Sequence, residues 1–91
     1  MLIALIARDK ADALDIRMAN RPDHVAYLKS STIVRQAGPL LDSEGQMCGS
    51  LIILEVEAAS QAQDWADSDP YARAGLFDSV ELIPWNRVIG G

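Results

Sequence analysis

Residues 50–57, Ser-Leu-Ile-Ile-Leu-Glu-Val-Glu, form the clearest predicted strand of this 91-residue chain. The alternate residues of one face are all apolar: Ile52, Leu54 and Val56. The opposite face begins with two apolar residues before it turns acidic: Leu51 and Ile53, then Glu55 and Glu57. A strand of an antiparallel sheet usually has a single dry face. Because both faces begin apolar here, we expect helices over one face and a second copy of the chain over the other.

Three further strands are expected around this one. They lie at about Leu2–Ala7, at Thr32–Ala37, where Gly38-Pro39 ends the strand, and at Phe77–Pro84. The run before Arg8 is too short to span a bilayer and lacks the basic start of a signal peptide, so we interpret it as a buried strand.

Two helical regions separate the strands. Asp9 is a candidate N-cap for the first, with Asp12 in its first turn, and Pro22 predicts a kink or break within it. The second begins with a capping-box pattern at Ser60 and restarts at Asp69-Pro70, where aspartate is the cap and proline the first helical residue. The resulting order predicts a single α+β domain, residues 1–91, with a ferredoxin-like βαββαβ fold and a four-stranded antiparallel sheet.

Bulk composition narrows the class of function. The net charge of −5 argues against nucleic acid or an anionic membrane surface as a partner, since both require a basic face. The single cysteine, Cys48, excludes an internal disulfide and favours a reducing compartment, so we expect a cytoplasmic protein. Because the sequence has no metal motif and no glycine-rich phosphate loop, we expect no metal and no cofactor.

The only histidine, His24, lies in line with two arginines, Arg17 and Arg21. Spacings of four and three residues place all three on one edge of a helix. Histidine is the side chain that titrates nearest neutral pH, so this edge predicts an acid–base or anion-binding site. The alternatives are a surface or capping histidine, and arginines paired on a solvated helix face with neighbouring aspartates.

Three other side chains are candidates for the same site, each with a plainer interpretation. Asp42, in the loop after the second strand, could orient His24, but a turn aspartate is common in such a sequence. Ser50 could face a pocket next to Gly49. The Tyr71 hydroxyl could orient a ligand, although a tyrosine at the edge of a core is commoner.

The order and spacing of these motifs resemble the YciI-like (YCII-related domain) proteins, which are bacterial members of the dimeric α+β barrel superfamily. The matching segments follow one another along nearly the whole chain: Asp9-Lys10, Arg17 with Arg21-Pro-x-His24, Ala37-Gly38-Pro39 with Asp42 and Gly45, Gly49-Ser50, Trp65-Ala66, Asp69-Pro70-Tyr71 with Ala74-Gly75, and Pro84-Trp85.

The resemblance implies a homodimer formed through the sheet and a histidine–aspartate site at His24 and Asp42. It also implies cofactor-free proton transfer on a hydroxylated or chlorinated ring. We therefore predict a lyase, isomerase or dehydrochlorinase in which Arg17, Arg21, Ser50 and Tyr71 bind a small anionic or aromatic substrate. The alternative is a non-catalytic dimeric module that binds such a ligand unchanged.

Overall fold

A computed structural model describes residues 1–90 of the chain. Its elements, in chain order, are β1 (Leu2–Asp9), α1 (Leu14–Ser30), β2 (Val34–Leu41), β3 (Met47–Glu55), α2 (Ala59–Ser68), α3 (Pro70–Arg73) and β4 (Phe77–Trp85). The four strands form one antiparallel sheet in the order β2-β3-β1-β4. This is the predicted ferredoxin-like α+β fold. Gly91, the last residue of the predicted domain, lies outside the described residues.

The core lies between the helices and one face of the two central strands. That face carries the predicted apolar residues of β3 together with Ile3, Leu5 and Ala7 of β1, and α2 packs onto it through Ala62, Trp65 and Ala66. The apolar run before Arg8 is therefore a central strand of the sheet and contributes to the core, as predicted.

The other face of the sheet stays partly open. Three large apolar residues lie on it, Leu51, Ile83 and Trp85, and they are 40%, 42% and 40% exposed. They border a shallow depression of about 400 Å³, whose remaining lining residues are Ala4, Ile6, Gln36 and Ile53. The sequence predicted this second apolar face from Leu51 and Ile53.

Strand β2 runs past the point where the sequence predicted its end. It continues through Gly38 and Pro39 to Leu41, and Pro39 is paired with Ser50 of β3. Proline cannot donate to a sheet ladder and is tolerated on edge strands, where one side of the strand has no neighbour. Because β2 is an edge strand, the glycine–proline pair does not stop it.

The helix starts also differ from the predictions. Helix α1 begins after Ala13 without a side-chain cap, so Asp9 is not its N-cap, and Asp12 precedes the helix with a positive φ of 56°. The helix continues through Pro22 as one element rather than two. In α2, Gln61 accepts the backbone N–H of Glu57, so the capping interaction lies upstream of Ser60.

Gly49 is required by the close approach of β1 and β3. A Cβ at this position would lie 2.4 Å from the backbone oxygen of Ala7, which cannot move without shifting the strand. We expect Gly49→Ala to lower the free energy of unfolding by about 1–3 kcal/mol, the usual effect of overpacking. Denaturant titration measures it. The control is Gly38→Ala, since a Cβ there meets nothing within 4 Å; equal losses in the two variants would contradict this account.

Candidate active site

The predicted edge of α1 borders a cavity of about 170 Å³ between the helices and the ends of β2 and β3. Arg17, Arg21 and His24 all line this cavity, as the spacing on α1 predicts. Because the helix is not interrupted at Pro22, the three side chains keep their helical alignment. Ser50 and Tyr71 line the same cavity, so five of the six predicted site residues come together.

His24 is buried and is held by a carboxylate. Its Nδ1 lies 2.8 Å from Oδ1 of Asp69. The same oxygen accepts the backbone N–H of Tyr71 at 3.0 Å, so it acts as an acceptor. The proton of the His24–Asp69 hydrogen bond is therefore on Nδ1. In the neutral imidazole this leaves a lone pair on Nε2, the nitrogen available to a ligand in the cavity.

Asp42 is not the partner of His24, and this prediction was wrong. Its Oδ1 accepts the backbone N–H groups of Glu44 and Gln46 at 2.9 and 3.0 Å, which closes the exposed turn between β2 and β3. Asp42 lines a separate surface depression and not the cavity that contains His24. The plainer interpretation of Asp42 as a turn residue describes it correctly.

Arg17 is a buried residue of the site, and its guanidinium is already held. Nε and Nη2 donate to the two carboxylate oxygens of Asp9 at 2.7 and 2.9 Å, and Nη2 also donates to Ser50 Oγ at 3.0 Å. Burial opposes the charge, but the hydrogen bonds and the negative charge of Asp9 outweigh it and raise the pKa of Arg17. Arg17, which the sequence predicts to bind an anionic substrate, therefore already pairs with the carboxylate of Asp9 through two hydrogen bonds.

Tyr71 contacts both His24 and Arg17. Its ring stacks on the His24 imidazole, with the centroids 3.8 Å apart and the planes 14° from parallel. The guanidinium carbon of Arg17 lies 4.6 Å from the centre of the same ring. Burial raises the pKa of the Tyr71 hydroxyl, although the charges of Arg17 and Arg21 act in the opposite direction. The hydroxyl therefore keeps its proton at neutral pH and can donate it.

The rest of the cavity is mostly apolar. Its other lining residues are Val25, Leu28, Ala37, Gly38, Pro39 and Met47. Arg21 is exposed at this cavity, unlike the buried Arg17. Within residues 1–90 there is no group of three or more His, Cys, Asp and Glu side chains arranged to hold a metal ion. The geometry thus combines a buried histidine, two hydroxyls and one exposed cation beside apolar walls.

Asp69 has one oxygen without a partner. Oδ2 is buried and makes no hydrogen bond within residues 1–90, whereas Oδ1 has two partners. The Pro70 that follows begins α3, so the backbone fixes where the carboxylate lies. The predicted capping role of Asp69 is confirmed, and its contact with His24 is additional to it.

Two residues of the site, Asp69 and Asp9, were not among the predicted site residues. The sequence predicts both only as helix N-caps. A signal was present for Asp69, since a capping carboxylate keeps further acceptor positions after it takes one backbone N–H. For Asp9 the signal is weaker, because it ends β1 while Arg17 lies on α1, and local spacing does not predict a contact between a strand and a helix.

The chain is a small α+β protein of the ferredoxin-like class. It has a four-stranded antiparallel sheet with helices on one face, and a buried histidine–aspartate pair beside a cavity. The chain belongs to the YCII-related domain family, whose profile matches residues 1–86. It is 38% identical over 97 aligned residues to Protein YciI of Escherichia coli O6:H1, with 97% of this chain and 99% of that protein covered. The family resemblance noted in the sequence is confirmed.

Solved structures extend the comparison. The chain is similar to 5-chloro-2-hydroxyhydroquinone dehydrochlorinase from Burkholderia phenoliruptrix AC1100, in complex with 2,5-dihydroxybenzoquinone, with a TM-score of 0.88, 28% identity and 94% of each chain covered. It is also similar in fold to an antibiotic biosynthesis monooxygenase, with a TM-score of 0.57, 14% identity, and 96% and 100% of the two chains covered. Separately, residues 1–90 contain no helix with the length and apolar character needed to cross a membrane.

Proposed function

We propose that this protein is a cofactor-free acid–base enzyme, of lyase or isomerase type, that uses His24 as its base. The observation that carries the proposal is the 2.8 Å contact between His24 Nδ1 and Asp69, which leaves Nε2 as a proton acceptor beside the cavity. Nε2 takes a proton from an activated carbon or a ring hydroxyl, and Asp69 stabilises the imidazolium that forms. The proton then returns to another atom of the product, or is lost with a leaving group.

The walls of the cavity suit a small hydroxylated ring. Apolar residues of α1 and β2 contact the ring, while Arg21, Ser50 and Tyr71 face its polar substituents. A volume of about 170 Å³ matches a substrate of one ring better than a larger metabolite. Arg21, whose charge acts on the Tyr71 hydroxyl, is the residue that pairs with an anionic substituent at the mouth.

The similarity to the dehydrochlorinase supports a substrate of this class. That protein is 28% identical to this chain, and its bound 2,5-dihydroxybenzoquinone is a single oxygenated ring. For this chain we accordingly propose elimination of hydrogen chloride from a chlorinated hydroxyquinol as the reaction to test first. One hydroxyl proton moves to the ring carbon that bears chlorine, giving the keto form; His24 then takes a second hydroxyl proton while chloride leaves with the electrons of the C–Cl bond. The product is a hydroxybenzoquinone, and the net loss is HCl.

The test is release of chloride from 5-chloro-2-hydroxyhydroquinone under anaerobic conditions, followed with a chloride electrode. We expect release faster than in buffer, and loss of the excess rate in His24→Gln. An excess rate that survives this substitution would contradict the role of His24. Absence of any excess rate would remove this substrate, and tight binding without turnover of a wider panel of hydroxylated rings would favour a non-catalytic binding module.

One feature favours the enzyme over the binding module. A carboxylate within hydrogen-bond distance orients a catalytic histidine and stabilises its imidazolium, whereas binding alone does not require one. Asp69 fulfils this role in place of the predicted Asp42. A buried carboxylate with an unpartnered oxygen also disfavours a purely structural role, because simple packing would be served better by an apolar pair.

We further propose that the protein acts as a homodimer through the open face of its sheet, in the cytoplasm, where the exposed Cys48 stays reduced. Under two-fold symmetry the same apolar patch of each copy faces its counterpart, so the two open sheet faces cover each other. A chain this short also gains from burial between subunits.

Leu51→Asp is expected to convert the dimer to a monomer at micromolar concentration, since it places a charge in the centre of the proposed contact. Sedimentation equilibrium measures the change. Met18→Asp is the matched control, because Met18 is an exposed apolar residue on α1, away from the sheet face. A wild-type monomer, or a Leu51→Asp dimer, would contradict the proposed interface.

A further inference from the structure

The hydrogen bond between Arg17 and Ser50 fixes the direction in which the serine hydroxyl can act. Arg17 Nη2 donates to Ser50 Oγ at 3.0 Å, and arginine has no acceptor. A hydroxyl that accepts from arginine still has its single proton to give. No protein acceptor within residues 1–90 takes that proton, and Ser50 lines the cavity. The bond therefore leaves Ser50 as a donor toward whatever occupies the cavity.

Arg17 is held too firmly to bind the ligand itself. Two of its nitrogens bond to the carboxylate of Asp9, and its side chain is 2% exposed. Its positive charge nevertheless acts on both hydroxyls of the site. Ser50 accepts a hydrogen bond from Arg17, and the guanidinium, 4.6 Å from the centre of the Tyr71 ring, opposes the rise in the pKa of the Tyr71 hydroxyl that burial causes. A hydroxyl that accepts from a cation becomes a stronger donor, because hydrogen bonds in a chain polarise one another.

We propose that Arg17 is a positioning residue that makes the Ser50 hydroxyl, with Tyr71 beside it, a hydrogen-bond donor for an oxyanion of the ligand. The class of ligand is a ring or chain that carries a phenolate or enolate oxygen. This inference deepens the proposed function, because removal of a proton by His24 creates such an oxygen. Donors arranged in advance stabilise the developing charge without reorganisation.

Para-nitrophenol is a suitable probe, since its phenolate absorbs visible light and its neutral form does not. Binding to the wild-type protein should favour the phenolate and move the titration midpoint of the bound probe to lower pH. Ser50→Ala should move the midpoint back by about one pH unit, a tenfold loss of preference for the anion, because a hydrogen bond to a charged group is removed. A change in packing alone would alter affinity for both forms and leave the midpoint in place.

Arg17→Lys separates positioning from charge. Lysine keeps the positive charge but lacks the fork that reaches Asp9 and Ser50 together. We expect Arg17→Lys to shift the midpoint as Ser50→Ala does, and the double variant to add little, because both changes break one interaction. Thermal melting checks that the variants are folded, and Ser79→Ala, an exposed serine of β4, is the matched control.

The inference is overturned if the midpoint is the same in wild type and Ser50→Ala, or if the effects of Ser50→Ala and Arg17→Lys simply add. Failure of the wild-type protein to bind para-nitrophenol would equally overturn the ligand class. The proposed function can fail separately. If the protein catalyses no reaction but the midpoint still depends on Ser50, the enzymatic function is contradicted and the oxyanion-binding site is supported.

Discussion

Arg17→Met is expected to lower the free energy of unfolding by about 3–5 kcal/mol, the usual result of removing one partner of a buried ion pair. The Asp9 side chain is 6% exposed and accepts two hydrogen bonds from Arg17, so methionine would leave a buried carboxylate without compensation. For a chain of this size the melting temperature should fall by roughly 12 °C or more. Calorimetry or denaturant titration gives the value.

Two variants test the cause of this loss. Arg8→Met removes an exposed arginine of β1 and should change the stability by no more than about 0.5 kcal/mol. Asp9→Leu combined with Arg17→Met removes both charges and should recover most of the loss, since an apolar pair often replaces a buried ion pair without penalty. A double variant as unstable as Arg17→Met alone would show that lost packing, and not the orphaned carboxylate, is responsible.

His24→Gln should lower kcat/KM about 10²–10⁴-fold once a substrate is in hand, the range that general acid–base catalysis contributes. Glutamine can still donate to Asp69 but has no basic nitrogen to offer the cavity. The fold should therefore remain, and thermal melting should show a shift much smaller than that of Arg17→Met. Steady-state kinetics on the same protein preparation measures both effects together.

Asp69→Asn and Asp42→Asn form a matched pair for this mechanism. Asparagine at position 69 can still accept the backbone N–H of Tyr71 and cap α3, but it lacks the charge that stabilises imidazolium. Asp69→Asn should therefore lower kcat while Asp42→Asn leaves it unchanged, because Asp42 belongs to an exposed turn. The reverse result would restore the pairing that the sequence predicted.

The sequence predicted the fold well because buried positions on the central strands are occupied by apolar residues at regular spacing. The alternation of Ile52, Leu54 and Val56 gave the core face of β3, and the apolar run at the start of the chain gave β1. The predicted end of β2 at Gly38-Pro39 was wrong for a different reason. A glycine–proline pair stops a central strand, but whether a strand is central or at an edge depends on the order of strands in the sheet.

The site was predictable in its cations and not in its carboxylates. Helical spacing was enough to align Arg17 and His24, since both lie on one element. Their partners lie on other elements, at the end of β1 and the start of α3, and contacts of that kind depend on the tertiary arrangement. The sequence predicts Asp69 only as the cap of α3, but a carboxylate can accept several hydrogen bonds and so can hold His24 as well.

The unpartnered oxygen of Asp69 has a consequence for how this protein tolerates change. A buried acceptor without a donor costs about 1–3 kcal/mol, out of the 5–15 kcal/mol by which a typical domain is stable. The free energy of unfolding is therefore smaller than the core alone would provide, so a destabilising substitution elsewhere in the chain removes a larger share of it. Sequences of this fold in which apolar residues replace the histidine–aspartate pair would be more stable by that amount. They would therefore tolerate more substitutions at other positions.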